Sequence, residues 1–166
     1  MKFPFCISLF FCKSSNKIIN FKNLLKKRVF FVYRSAFITF APEKNEFMTQ
    51  NVELLDTIVK GLQEKKGRGI VTVDLRKTPG AICQYMVICD GNNPNQIKAL
   101  SDSVWEFVNK ELKEKPLSID GMRNSTWVAI DYGTIIVHIF LPEMRFFYRL
   151  EQLWEDALIT KIPDLD

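Results

Sequence analysis

The sequence predicts an α/β fold, a mixed sheet with helices packed on it. Three observations carry this. Apolar residues recur at helical spacing over three separate segments. Between them stand short runs, β-branched or continuously apolar, that read as strands. The order is helix, strand, strand, helix, strands, helix, which interleaves the two kinds of element.

From Asn51, the residues Val52, Leu55, Ile58, Val59 and Leu62 share one helical face, and Gly67 offers a stop. "GIVTVDL" (69–75) alternates like a half-buried strand, whereas "YMVICDG" (85–91) is apolar enough for a more fully buried one. "KTPGAIC" between them is a turn-bearing connection. In "DGNNPNQIKAL", Asn93 can cap a helix, Pro94 suits its first position, and Gln96 completes a capping box. Ile97, Leu100, Val104, Val108 and Leu112 then line that helix's inner side. "EKPLSIDGMRNS" is a loop with room for a short strand. "TWVAIDYGTIIVHIF" (126–140) is a strand, a tight turn and a second strand. Pro142 ends this hairpin. "EMRFFYRLEQLWEDA" reads as one last helix, with Phe146, Leu150, Leu153, Trp154 and Ala157 facing inward. The tail "LITKIPDLD" shows little pattern.

The 166 residues suffice for one ordinary domain. At 47% hydrophobic and 25% charged, the composition is globular. Charge is unevenly spread. Residues 1–47 hold nine Lys/Arg against two Glu, a net of +7, and ten of the fourteen Phe. Residues 48–166 hold fourteen Lys/Arg against seventeen Asp/Glu, a net of −3. Such asymmetry marks a tail joined to a domain, so 1–47 is expected to be an extension and 48–166 the domain. "MKFPFCISLFFCKSS" resembles a signal peptide but is too short to span a bilayer and lacks a cleavage site. "FKNLLKKRVFFVYRSAFITF" loosely suits an organelle transit peptide. Met48 opens a self-contained helix start, which fits an over-extended reading frame upstream. Targeting segment, reading-frame extension and genuine appendage all stay open.

Chemistry finds little support. Cys6, Cys12, Cys83 and Cys89 form no C-x-x-C pair, so buried thiols are expected. The single histidine, His138, lies inside "IIVHIFL" and reads as a half-buried strand residue bonded to backbone or a carboxylate. "GLQEKKGRG" lacks both the P-loop ending and the dinucleotide fingerprint. Asp74 stands alone on its strand, where a nucleotidyl transferase needs clustered carboxylates for two Mg²⁺ ions. A mildly acidic domain gains nothing from the counterion release that drives nucleic-acid binding. No catalytic residue, metal or cofactor is expected, and neither membrane nor direct sequence-specific nucleic-acid binding. What remains is a surface. Trp127 shares one strand face with Ala129 and Asp131, opposite Val128 and Ile130. Either a helix covers that face and Trp127 is core, or Trp127 anchors an interface and Asp131 selects a basic partner. Tyr132 at the turn and Ile119–Gly121 upstream belong to the same candidate surface.

Three segments, "LLDTIVKGLQEKKGRGIVTVDLRK", "YMVICDGNNPNQIKALSDSV" and "PLSIDGMRNSTWVAIDYGTIIVHIFLPEMRFFYRLEQLW", together resemble the ribosomal silencing factor (RsfS/Iojap) family. The similarity covers about residues 52–157. Its most specific part is the W-V-x-x-D-Y-G-x-x-x-V-H-x-F run from Trp127 to Phe140. The resemblance implies a nucleotidyltransferase-like fold without catalytic carboxylates. It implies binding to the large ribosomal subunit through its fourteenth protein, blocked joining of the subunits, and repressed translation. Carried over by position, Trp127 would meet the ribosomal protein with Asp131 and Tyr132 beside it, and Asp120 and Gly121 match the family's acidic-Gly pair. Two positions depart from the family pattern: "DGNN" (90–93) stands where Thr-Gly-Thr-Ser is common, and Thr134 where an acidic residue is frequent. A role in large-subunit assembly and a cryptic nucleotidyl transferase are the alternatives, and an exposed sheet face could support a homodimer off the ribosome. Cytoplasmic localisation is implied, or an organelle if residues 1–47 are a transit peptide.

Overall fold

The most apolar runs of the chain form the middle of its sheet. The computed structural model describes residues 44–154 and 156–165, with side chains from Gln50 onward. In it β2 (Tyr85–Asp90) and β5 (Ile135–Phe140) pair in parallel. Every β5 residue is buried, and all of β2 but Asp90. Antiparallel strands extend the sheet on both sides. β1 (Arg68–Asp74) and then β6 (Leu158–Lys161) follow β2; β4 (Trp127–Asp131) and then β3 (Ser118–Asp120) follow β5. The order is β3-β4-β5-β2-β1-β6. The expected mixed sheet is therefore what the chain forms.

Two long helices, α1 (Lys44–Glu64) and α2 (Pro94–Glu111), pack on each other and against alternate strand residues such as Val87, Val128, Val137 and Ile139. Leu54, Ile58, Leu62, Ile97, Leu100, Val104 and Val108 supply the helical half of this core. Each such side chain contributes ~1.5–3 kcal/mol of burial before conformational entropy is charged. The helices touch closely because Gly61 has no side chain. A Cβ there would come within 3.0 Å of Val104 Cα, and Ser103 Oγ donates to the Gly61 carbonyl at 2.8 Å. The α2 cap is as read: Asn93 Oδ1 accepts the Gln96 N–H at 2.9 Å, and Pro94 opens the first turn. Gln96 Oε1 returns to the Asn92 N–H at 2.8 Å, one residue ahead of the Asn93 N–H that a capping box engages, and its Nε2 donates to the Lys65 and Lys66 carbonyls. One side chain thus caps α2 and ties it to the end of α1.

Several readings need correction. α1 begins at Lys44, so Met48 lies within the helix and does not start it; residues 1–43 of the expected extension, with Cys6 and Cys12, lie outside the described residues. Val52 is 47% exposed, because the buried stripe also carries two polar residues, Asn51 and Thr57. Asn51 donates to Gln84 Oε1 at 3.1 Å and Thr57 to Glu111 Oε2 at 3.3 Å, so the apolar residues alone misplace the stripe. The left-handed residue ending α1 is Lys66 (φ 53), while the Gly67 N–H reaches back to the Leu62 carbonyl at 2.9 Å.

The last helix is also broken. α3 (Pro142–Tyr148) stops at Arg149, which is left-handed (φ 44), and a 3₁₀ turn follows over Leu150–Trp154. Tyr148 and Leu150 are both buried, yet two residues on one α-helix point about 200° apart, so the chain must break between them. Phe146, two residues before buried Tyr148 on α3, and Leu153, beyond the break, both point outward, against expectation. β6 was missed entirely: all four of its residues are exposed, so no burial pattern marks it.

Candidate partner-binding site

β4 alternates as read, with Val128 and Ile130 in the core under the helices and Trp127, Ala129 and Asp131 on the opposite face. Its register with β5 sets Trp127 opposite Phe140, Ala129 opposite His138, and Asp131 opposite Ile136. Trp127 is neither sealed nor free. Its ring stacks on Phe140 at 5.0 Å between centroids, and Tyr148 from α3 lies tilted against it at 4.9 Å. The indole N–H donates to His138 Nδ1 at 3.2 Å. The partner of His138 is thus an indole, in place of the expected backbone or carboxylate group. His138 is fully buried, and burial pushes its imidazole down to about 4.

The five residues read from sequence separate into two groups. Asp120 and Gly121 lie beside Trp127, since β3 pairs Asp120 with Ala129 and Gly121 abuts the Trp127 backbone. Asp120 is exposed. Gly121 has φ +90, and a Cβ built on it would overlap the Trp127 carbonyl oxygen. Gly121→Ala is expected to lower stability by about 2 kcal/mol, limited because an edge strand can peel away locally. A urea midpoint and hydrogen exchange confined to β3 and β4 would check it.

The other two residues correct the expectation. Asp131 is buried, and its Oδ1 accepts the Gly133 N–H at 2.6 Å, so its carboxylate shapes the hairpin turn. Tyr132 leaves the strand and turns into the core on the helix-covered face, where burial raises its phenol above the usual range. Neither projects alongside Trp127 as an exposed contact.

Sequence reading missed what α3 brings. Tyr148 closes over Trp127, and Phe146 and Phe147 beside it are 71% and 73% exposed. Arg149 lies over the Phe146 ring, 4.5 Å from its centroid. Arg145 fastens the helix to the sheet. Its Nη1 meets Asp90 Oδ2 at 3.0 Å and the Gly69 carbonyl at 2.8 Å, and its Nη2 meets Glu151 Oε1 at 2.6 Å. Burial holds the Asp90 carboxyl above the usual carboxylate range, with Arg145 pulling the other way. Arg145→Met is expected to cost about 2 kcal/mol, since it strands two partly buried carboxylates. Calorimetry at neutral pH would measure the loss.

Asp74 is committed elsewhere. Arg76 binds it through Nη2 at 2.6 Å and Nε at 2.9 Å, and this bond holds its carboxyl below the usual range. Among the described residues no group of three or more His, Cys, Asp or Glu is placed to hold a metal ion. Burial pushes the Cys89 thiol up to about 12, far from a nucleophilic thiolate at neutral pH. No helix among the described residues is long and apolar enough to cross a membrane.

A family model described as "Ribosomal silencing factor during starvation" matches residues 48–166. The chain belongs to the ribosomal silencing factor family. The RsfS of Halalkalibacterium halodurans is 33% identical over 110 residues, covering 64% of this chain and 90% of its own. The mouse protein named "Mitochondrial assembly of ribosomal large subunit protein 1" is 28% identical over 107 residues, covering 60% and 44%. A crystal structure from Chromobacterium violaceum superposes with a TM-score of 0.59 at 31% identity, over 63% of this chain and 85% of that one. One from Bacillus halodurans gives 0.57 at 26% identity, over 68% and 99%. The matched region of this RsfS-family member contains the whole sheet and the Trp127 hairpin.

Proposed function

We propose that this silencing factor binds the large ribosomal subunit through its fourteenth protein and blocks joining of the small subunit, which lowers translation. Trp127 carries the reading: a large aromatic held at a sheet margin, half-buried among its own aromatics, with exposed Asp120 beside it. Interfaces concentrate binding energy in such anchors. Obstruction requires no bond to be made or broken. A domain seated on the joining face excludes the small subunit by volume, and each ~1.4 kcal/mol of affinity changes occupancy tenfold below saturation.

Asp120 takes the charge-pairing role first read for Asp131, because it is exposed and Asp131 is engaged in the turn. A sucrose gradient of tagged protein tests the whole proposal. It should travel with free large subunits and be absent from joined ribosomes; sedimentation only at the top of the gradient refutes it. The name of the mouse relative favours a second reading, large-subunit assembly, which the same surface could serve. Depletion distinguishes them: accumulation of immature large subunits points to assembly, excess joined ribosomes to silencing. A homodimer off the ribosome belongs to the proposal too, and light scattering of the free protein tests it. Action in the cytoplasm follows if the ribosome bound is the cytoplasmic one.

A further inference from the structure

We propose that His138 is a positioning residue for the docking surface: it accepts the Trp127 indole N–H, fixes the ring, and leaves only carbon surface for the partner. This rests on the reading of Trp127 as the anchor. An indole nitrogen only donates, so His138 Nδ1 must present its lone pair and the imidazole is neutral with its proton on Nε2. His138 sits mid-strand in β5, 2% exposed, where the β-sheet backbone holds it rigidly. Its cross-strand neighbour is Ala129, whose small side chain leaves the diagonal to Trp127 open. Phe140 and Tyr148 then confine the ring from two further directions.

Two consequences follow for recognition. A ring already held in one rotamer loses little freedom on docking, worth roughly twofold to tenfold in affinity. With the N–H directed inward, the partner has no use for a carbonyl acceptor at this position. Methyl and methylene groups, or a cation over the ring, are the matching chemistry.

The experiment compares the full chain with His138→Asn, His138→Leu, Trp127→Phe, Trp127→Ala and the Trp127→Ala/His138→Leu pair. It reads the dissociation constant for purified large subunits and the indole N–H resonances, with Trp127 assigned by its loss in Trp127→Phe. In the wild type the Trp127 indole proton should exchange at least about tenfold more slowly than that of Trp105, which is 39% exposed. His138→Asn keeps an acceptor and should bind within about twofold of wild type. His138→Leu cannot accept and should bind roughly fivefold to tenfold more weakly. The double variant should bind no more weakly than Trp127→Ala alone. If Trp127→Ala binds weakly while folded His138→Leu binds like wild type, the positioning role is overturned and the anchor stands. If Trp127→Ala itself binds like wild type, the anchor reading fails and takes this one with it. Fast exchange of the wild-type Trp127 indole proton overturns the proposal without any variant having to fold.

Discussion

Trp127→Ala is expected to weaken large-subunit binding by at least about 30-fold, ~2 kcal/mol, the loss typical of a central aromatic anchor. The same truncation removes the stack on Phe140 and the contact with Tyr148, so stability should also fall by about 2 kcal/mol. A domain of ordinary stability survives that loss, and the two effects can be measured apart. Urea unfolding gives the stability change; titration of labelled protein with large subunits, well below the unfolding midpoint, gives the binding change. Trp127→Phe keeps much of the ring contact and should lie between wild type and alanine in both measurements. A folded Trp127→Ala protein that binds normally would remove this residue from the interface.

Acid lability is the second large effect. His138 is held near 4 by burial, whereas an unfolded imidazole titrates near its ordinary 6.5. Between those values the unfolded chain binds a proton that the folded chain does not. Stability is therefore intact above about pH 6.5, is lost as pH falls toward 4, and levels off below that. At ~1.4 kcal/mol per pH unit the total reaches about 3 kcal/mol. Asp90 acts with the opposite sign, because its raised carboxyl is relieved by protonation as pH falls. The difference between wild type and His138→Asn cancels that and every other shared carboxylate. Plotted against pH, it should slope between 6.5 and 4 and be flat above; a flat difference throughout would show that His138 is not held neutral.

Much of this was legible in the residues because their signals are local. The α2 start is written in Asn93, Pro94 and Gln96, each acting through atoms within one helical turn. The β4–β5 hairpin is written in alternation around a short turn, and its register follows from the turn length. That register would also have placed Phe140 opposite Trp127, and His138 one diagonal step away. The unread features depend on what comes from elsewhere. Alternation says which residues share a face of β4, but only the return of α3 shows that Tyr148 partly covers it. Asp131 looks like a free charge until the Gly133 N–H claims it. Tyr132 lies just past the strand, where backbone dihedrals replace side-chain parity as the guide. Phe146 fits an inward stripe only if the helix continues, and the stripe ends at Arg149.

The strand order puts β3 and β6 at opposite margins, five inter-strand steps apart. At ~4.8 Å per step this is roughly 24 Å, well within the range of resonance energy transfer. Trp127 stands one strand in from the β3 margin, four steps or roughly 19 Å from β6, so a dye on exposed Lys161 would sit clear of it and yet close enough to sense an acceptor seated there. The molecule offers its own ruler for watching a ribosomal subunit arrive, with the reporter clear of the place where it lands.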